Sequence, residues 1–341
     1  KTLLMRYSLK PEKSVFLDDR AVICEGAGKA GIHTIQFENL KQAAKALDFH
    51  PNQMAKSLVS RKTRIVGIVF PGDVSKSLGN PFYPSLLQGL GRAAGERRYH
   101  LLLVTGGGEV SAEEASRQAV DSGYVSGLVL LAAEDVPTRD PGVPVVVIGH
   151  PRDEAGWHYV DNDNVAAGRA ATQHLLAHGH RRILLLGYDR RYIFTVDRRL
   201  GYEQALDDAG IKVRKAWIVT SRPIQDPDAS EKLIAIFRAK DRPTAAVCMD
   251  DALAIGLTGL LKGMGLDVPG DVSIVSFNNT DAGKYHIPAL TSFEIDPYRL
   301  GMSAMHLMAD VLKGTMDAPR SIEVPFTLIE RDSVGDAPAS E

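Results

Sequence analysis

The chain has few cysteines, no long apolar run and no excess of charge of either sign, and each scarcity excludes a class of protein. Of its 341 residues only Cys24 and Cys248 are cysteine, too few for a disulfide framework or a cysteine zinc site and typical of a reducing compartment. The longest apolar runs, at 125–133 and 143–149, fall far short of the roughly 20 residues that span a bilayer. No signal-peptide pattern opens the sequence. We therefore expect a soluble, cytoplasmic protein with no membrane partner.

The charges nearly cancel, since 40 basic residues face 42 acidic ones and the formal net charge is -2. A chain without a global basic field can contact nucleic acid only through a local element. The composition, with 44% hydrophobic and 24% charged residues, excludes disordered and fibrous proteins. At roughly 150 residues per domain, the length indicates about two domains or lobes.

Short apolar runs alternate with longer amphipathic stretches from residue 64 onward. The runs do not alternate with polar residues, which is typical of parallel strands covered on both faces. Strands are predicted at 64–70, 100–104, 127–131, 144–148, 182–187, 244–249 and 272–277. Helices are predicted at 82–97, 111–122, 164–178, 198–209, 229–239, 251–264 and 297–313. The alternation predicts an α/β fold with two Rossmann-like lobes and a ligand cleft at the carboxyl ends of their strands.

Two glycine and histidine patterns that suggest cofactors do not meet the structural conditions for them. Residues 26–31 match G-x-G-x-x-G, but a predicted strand follows, whereas a dinucleotide fingerprint needs a helix there. His174 and His178 have helical spacing without the glutamate of an H-E-x-x-H motif. No nucleophile elbow or defensible acid/base pair is present. We predict no cofactor, no metal, no catalytic residue and no enzyme activity.

A series of motifs then occurs in a fixed order. Residues 49–63 read FHPNQMAKSLVSRKT and run into the first strand of the αβ alternation. The later stretches are NPFYPSLLQGL (80–90), YVDNDNVAAGRAATQHLLAHGHRRILLLG (159–187), DRRLGYEQAL (197–206), CMDDALAIGL (248–257), VPGDVSIVSFNNT (268–280), PALTSFEIDPYRLG (288–301) and LIERDS (328–333). Residues 49–334 thereby resemble the LacI/GalR family of transcriptional regulators.

The resemblance implies a hinge helix, a two-lobed effector domain and a set of partners. The implied domain is periplasmic-binding-protein-like (type I), with a hinge between its lobes. The implied partners are operator DNA, a sugar-like effector and a second copy of the chain. The implied boundaries are an atypical segment at 1–48, a hinge helix or linker at 49–63, lobe 1 at 64–163 and 296–322, lobe 2 at 164–295 and 323–334, and a frayed tail at 335–341.

The resemblance also points to individual residues. For the effector it implies Asn80, Phe82, Tyr83, Asp197, Arg198, Asp250 and Asn278, where a guanidinium, carboxylates, amides and aromatic faces suit a polyol. For the minor groove of DNA it implies Asn52, Ala55, Lys56 and Leu58, with Leu58 as the apolar wedge. Asp163 and Asn164 are expected to cap a helix and brace the crossing between lobes.

The first residues do not match the helix-turn-helix that this family carries before its hinge. Residues 9–39 instead resemble the last motif of haloacid dehalogenase-type hydrolases, with the acidic pair Asp18 and Asp19, but that family's opening nucleophile motif has no counterpart here. Three interpretations are considered. The first is a sugar-responsive regulator of operator DNA, and the second is a sugar-binding protein without DNA-binding activity. The third is a bifunctional hydrolase-regulator, against which the absent nucleophile motif argues.

Overall fold

The structure, a computed structural model, describes residues 5–6, 9–47, 63–70, 77–106, 111–131, 141–151, 156–189, 192–221, 227–316 and 318–338. The chain divides into two compact units, Lys1–Lys62 and Thr63–Glu341. Within the described part, no helix combines the length and the apolar composition that crossing a bilayer requires.

The first unit contains a small strand–helix–strand motif. Its elements are β1 (Val15–Asp18), α1 (Ala21–Gly28), β2 (His33–Gln36) and α2 (Leu40–Ala46). The two strands pair in parallel, with Val15 opposite His33. The Asn39 side chain begins α2 by accepting the N–H of Gln42 at 3.0 Å, as an N-cap residue does.

The second unit is built from strands and helices that alternate along the chain. Its strands are β3 (Ile65–Val69), β4 (His100–Val104), β5 (Gly127–Leu131), β6 (Val145–Ile148), β7 (His158–Asp161), β8 (Ile183–Gly187), β9 (Ile218–Thr220), β10 (Ala245–Cys248), β11 (Ser273–Phe277), β12 (Thr291–Glu294), β13 (Ser321–Glu323) and β14 (Thr327–Ile329). Its helices are α3 (Phe82–Arg97), α4 (Ala112–Asp121), α5 (Asn164–Ala177), α6 (Ile193–Asp208), α7 (Pro227–Arg238), α8 (Asp251–Gly263), α9 (Asp281–Lys284) and α10 (Pro297–Leu312).

These strands form two six-stranded sheets, one in each lobe. Lobe 1 has the strand order β13-β7-β6-β5-β3-β4, and its pairs are parallel. Lobe 2 has the order β14-β12-β11-β10-β8-β9, in which only the described edge strand β14 runs antiparallel to its neighbour. Every residue of β5, β6, β8, β10 and β11 is buried, because helices cover both faces. The predicted α/β fold with two Rossmann-like lobes is confirmed.

In each lobe, two helices approach closely enough that their glycines meet backbone atoms. A Cβ added at Gly201 of α6 would lie 2.0 Å from the carbonyl oxygen of Val165 in α5, and one at Gly168 of α5 would lie 2.2 Å from the oxygen of Arg198. Lobe 1 repeats the arrangement between α3 and α10 through Gly89 and Gly301. Only glycine allows these backbones to touch, so the helix pairs fix where the cleft-facing ends of α3 and α6 lie.

The chain crosses between the lobes at three places, and the side chain of a residue on the first crossing donates hydrogen bonds to the other two. Asn162 lies on the first crossing, after β7. Its Nδ2 donates to the carbonyl oxygen of Ile295 on the second crossing at 3.1 Å and to that of Val324 on the third at 2.8 Å. Asn162 is buried, so water does not compete for these bonds.

The carboxyl-terminal residues differ from the predicted frayed tail. The carbonyl oxygen of Gly335 accepts from Nε2 of His180 at 3.0 Å, and the N–H of Ala337 donates to the oxygen of His178 at 2.8 Å. Residues 335–337 are thus bonded to lobe 2, where Gly335 and the Thr244 hydroxyl satisfy the two ring nitrogens of the buried His180.

Candidate functional site

A cleft of about 780 Å³, partly open to solvent, lies between the two lobes at the carboxyl ends of their strands. This is where ligands bind to open parallel sheets. Six of the seven effector residues indicated by the sequence line it, namely Asn80, Phe82, Tyr83, Arg198, Asp250 and Asn278.

Arg198 is the cation of the cleft. It is only 3% exposed, and Nε donates to Oδ1 of Asn164 at 2.9 Å while Nη1 donates to the carbonyl oxygen of Met249 at 2.7 Å. The guanidinium stacks over the Phe277 ring at 4.1 Å. Burial lowers the pKa of Arg198 to about 10, opposed by the charges of nearby carboxylates. The group therefore stays charged at neutral pH and is held rigidly beside the ligand space.

Asp250 joins both lobes at the same end of the cleft. Its Oδ1 caps α8 by accepting the N–H of Leu253 at 2.8 Å. Its Oδ2 accepts from the Tyr188 hydroxyl in lobe 2 and from Nδ2 of Asn80 in lobe 1, the latter at 3.4 Å. Burial raises the pKa of Asp250, while its bonds with Tyr188 and Leu253 oppose that rise.

Aromatic rings form walls on both sides of the cleft. Phe82 and Tyr83 of α3 meet edge to face, 5.2 Å between centroids. Tyr188 and Phe194 of lobe 2 have centroids 6.3 Å apart. Burial raises the pKa of Tyr83 to about 12, so its hydroxyl remains protonated. Rings on two walls present flat apolar surfaces to whatever lies between them.

Asn278 reaches the cleft from a strained turn that follows β11. Both Asn278 and Asn279 have positive φ, 92° and 46°, a region that asparagine tolerates better than most residues. Asn279 is held by Arg331, whose Nη2 donates to Oδ1 at 2.5 Å, and by Glu294, whose Oε2 accepts from Nδ2 at 2.7 Å. The bonds to Asn279 thus hold the turn in place, and Asn278 lines the cleft.

Asp161, at the end of β7, lines the cleft from the crossing between the lobes. Its carboxylate accepts from the N–H of Asn162 at 2.8 Å and from Nδ2 of Asn164 at 3.1 and 3.2 Å. Burial raises the pKa of Asp161 to about 6, opposed by the Asn162 N–H and by Arg198.

Asp197 is the predicted effector residue that the structure does not place in the cleft. It lines a neighbouring cavity with His150, Tyr159 and Glu323. This cavity adjoins the cleft, since Asp161, Asn162 and Asn164 line both. Consecutive helical residues project about 100° apart, so Arg198 and Asp197 lie on neighbouring parts of this region. The effector role of Asp197 stays a prediction.

Several cleft residues were not indicated by the sequence reasoning. Tyr188 comes directly after β8, as Asp250 and Asn278 come after β10 and β11, so its position at a strand's carboxyl end is a signal that could have found it. Asn164, expected to brace the crossing, also lines the cleft, while Asp163 caps α5 by accepting the Ala166 N–H at 2.8 Å.

The predicted DNA contacts Asn52, Ala55, Lys56 and Leu58 lie outside the described residues, as does most of the 49–63 segment. They stay predictions. Among the described residues, no group of three or more histidine, cysteine, aspartate or glutamate side chains could hold a metal ion.

Two α/β lobes around a hinged polar and aromatic cleft define a periplasmic-binding-protein-like domain, as expected from the resemblance. The family model described as a periplasmic binding protein-like domain matches residues 172–334. The chain is 29% identical over 303 residues to the transcriptional regulator CelR of Thermobifida fusca, covering 87% of this chain and 88% of CelR. It is 27% identical to the transcriptional repressor PurR of Erwinia tasmaniensis over 87% of both chains.

A solved structure agrees with this assignment. The fold matches a CelR–cellobiose complex with a TM-score of 0.74 at 27% identity, covering 86% of this chain and 89% of that one. The chain is therefore similar in fold and sequence to transcriptional regulators with a periplasmic-binding-protein-like domain. The relatives named here are transcriptional regulators rather than enzymes.

Proposed function

We propose that this protein is a LacI-type transcriptional regulator whose two-lobed unit binds a small sugar-like effector and thereby controls operator binding. The observation that carries the proposal is the composition of the cleft, in which a buried guanidinium and two carboxylates stand beside aromatic walls from both lobes. A ligand bound there contacts both lobes at once, so its binding energy acts on their closure.

The charges of the cleft favour a neutral polyol over a phosphorylated ligand. Arg198 is opposed by the carboxylates of Asp161 and Asp250, so a phosphate would meet more negative than positive charge. Carboxylates and the Asn278 amide can accept hydroxyl hydrogens, and aromatic faces pack on the apolar faces of sugar rings. The cellobiose in the related CelR structure supports glucose-containing disaccharides as the first ligands to test.

Operator binding is assigned in this proposal to residues 49–63 of two copies of the chain acting together in the cytoplasm. A short hinge helix is marginal alone, so a paired copy and DNA would supply the contacts that stabilise it. Effector binding would then change DNA affinity by a coupling free energy, commonly about 1–3 kcal/mol.

Thermal unfolding of the purified protein with a panel of mono- and disaccharides tests the cleft. A ligand at 100 times its dissociation constant stabilises the native state by about 2.7 kcal/mol, which raises Tm by roughly 5 °C for a unit of this size. We expect Arg198→Ala to abolish the shift. Arg199→Ala is the matched control, because Arg199 pairs with Glu203 at 2.7 Å instead and should keep the shift. No shift with any sugar would contradict a sugar effector.

Selection of duplexes from a random pool tests operator binding. The full chain should enrich one sequence, Lys56→Ala should bind it with a shallower salt dependence because a phosphate contact is lost, and the sugar found above should change its affinity. A protein that binds sugar but enriches no duplex would favour the alternative, a sugar-binding protein without DNA-binding activity.

A further inference from the structure

Asp161 belongs to lobe 1, but its carboxylate is bonded to the first residue of a lobe 2 helix. It ends β7, and both of its oxygens accept from Nδ2 of Asn164 at the start of α5. The contact spans the first crossing of the chain between the lobes, next to the Asn162 backbone N–H that also donates to Asp161. The orientation of Asn164 is therefore tied to both lobes.

The amide of Asn164 is used at both ends. Its nitrogen donates to Asp161, and its oxygen accepts from Nε of Arg198 at 2.9 Å. A flipped amide would place two donors, the Asn164 nitrogen and Arg198 Nε, against each other. An ionised carboxylate has no proton to donate and can only accept, so it selects the amide orientation that holds Arg198. Asn164 is 4% exposed, so water does not replace the lost partner.

We propose that Asp161 is a positioning residue that acts through Asn164 to aim the Arg198 guanidinium at the effector. The inference rests on the proposed function, since it assigns a role in effector binding. It also makes effector affinity depend on the charge of Asp161. When Asp161 takes up a proton, it gains an O–H donor and can also bond the oxygen of a flipped Asn164 amide, so it no longer selects the orientation that holds Arg198.

The surroundings of Asp161 place this change in an accessible pH range. Burial raises its pKa to about 6, and the relay Asp161–Asn164–Arg198 is complete above that pH. Affinity should thus be highest above pH 6 and fall as the pH drops through it. The other charged or titratable groups that face Asp161 come from α6, the start of α5, the loop after β6 and the neighbouring strand β13, and they are Arg198, Asp197, Asp163, His150 and Glu323.

Cellobiose titrations by calorimetry between pH 5 and pH 8 test the proposal. For a pKa of about 6, the ionised fraction of Asp161 falls about tenfold from pH 7 to pH 5, and wild-type affinity should fall by a similar factor. Asp161→Asn should bind about tenfold more weakly at pH 7 with a flat profile. Asp163→Asn is the control, since asparagine also caps a helix, and it should keep the wild-type profile. An Asp161→Asn variant that keeps the wild-type affinity and pH profile would overturn the proposal.

A measurement without ligand separates this proposal from the proposed function. The side-chain N–H signal of Arg198 Nε, identified by its loss in Arg198→Lys, should shift with a midpoint near pH 6 in the wild-type protein and remain constant in Asp161→Asn. If no sugar binds, the proposed function fails while the signal still decides the relay. A wild-type signal that does not move across this range would refute the positioning role even if the variants do not fold.

Discussion

The contact between α5 and α6 makes Gly201→Ala a demanding test of the packing that holds Arg198. The new Cβ would lie 2.0 Å from the Val165 carbonyl oxygen, where ordinary contact begins at 3.4 Å, so the helices must separate by about 1.4 Å. Overpacking of this kind typically costs about 1–3 kcal/mol, and backbone against backbone belongs at the upper end. Alanine recovers about 1 kcal/mol of helix propensity over glycine. We expect a net loss of about 2 kcal/mol in the free energy of unfolding.

Urea unfolding followed by the fluorescence of Trp217, which is buried in lobe 2, measures this loss. Gly259→Ala is the matched control, because Gly259 lies inside α8 of the same lobe with nothing within 4 Å of its added Cβ. It should stabilise the protein by roughly 0.5–1 kcal/mol. Gly201→Ala should also weaken sugar binding, since α6 carries Arg198. Equal stability of the two variants would refute the close-contact reasoning.

Two further predictions concern buried polar groups in lobe 2. Asp251 is 1% exposed and accepts four hydrogen bonds. Because Asp251→Asn turns one acceptor into a donor, it should lower the free energy of unfolding in urea by about 3 kcal/mol. The control Asp281→Asn, at an exposed position, should lower it little, and a similarly small loss at both sites would contradict the prediction. His180 is fully buried, and burial is the main cause that lowers its pKa. Because the folded state holds the neutral imidazole, the contribution of His180 to stability is complete above the unfolded pKa of about 6.5. That contribution is lost as the pH falls below this value. His180→Asn should therefore flatten the loss of stability between pH 6.5 and pH 5 in unfolding measured across that range; an unchanged slope would exclude His180 as its source.

The fold was predictable where helices cover strands on both faces. Runs such as 127–131 are entirely apolar because both sides of the sheet are buried, and their strands begin and end within a residue of the prediction. Short edge strands such as Ile218–Thr220 and Ser321–Glu323 carry too few apolar residues to stand out. Helix α6 begins at Ile193, five residues before its predicted start, because β-branched residues with weak helix propensity are stabilised there by packing.

The candidate site was partly predictable because the carboxyl ends of parallel strands converge. That rule, together with the family resemblance, leads to Asp250 and Asn278, and it applies equally to Tyr188. It does not resolve how two adjacent helical residues divide between the cleft, which Arg198 lines, and the adjoining cavity, which Asp197 lines. The bond that Asn164 donates to Asp161 joins residues three apart, but the bond of Arg198 to Asn164 spans 34 residues and depends on how α5 and α6 pack, which periodicity and motif spacing do not encode.

Because the Asn162 side chain joins the three crossings, the point about which one lobe rotates against the other lies at this residue. A rotation of one lobe against the other displaces each atom in proportion to its distance from that point. The amino-terminal end of β3 lies about one strand length from the carboxyl edge of the sheet, about 16 Å at 3.3 Å per residue, and three strands from β7, about 14 Å at 4.8 Å per strand. A rotation of roughly 10° would therefore move it by about 4 Å. Thr63, two residues before that strand, moves with it.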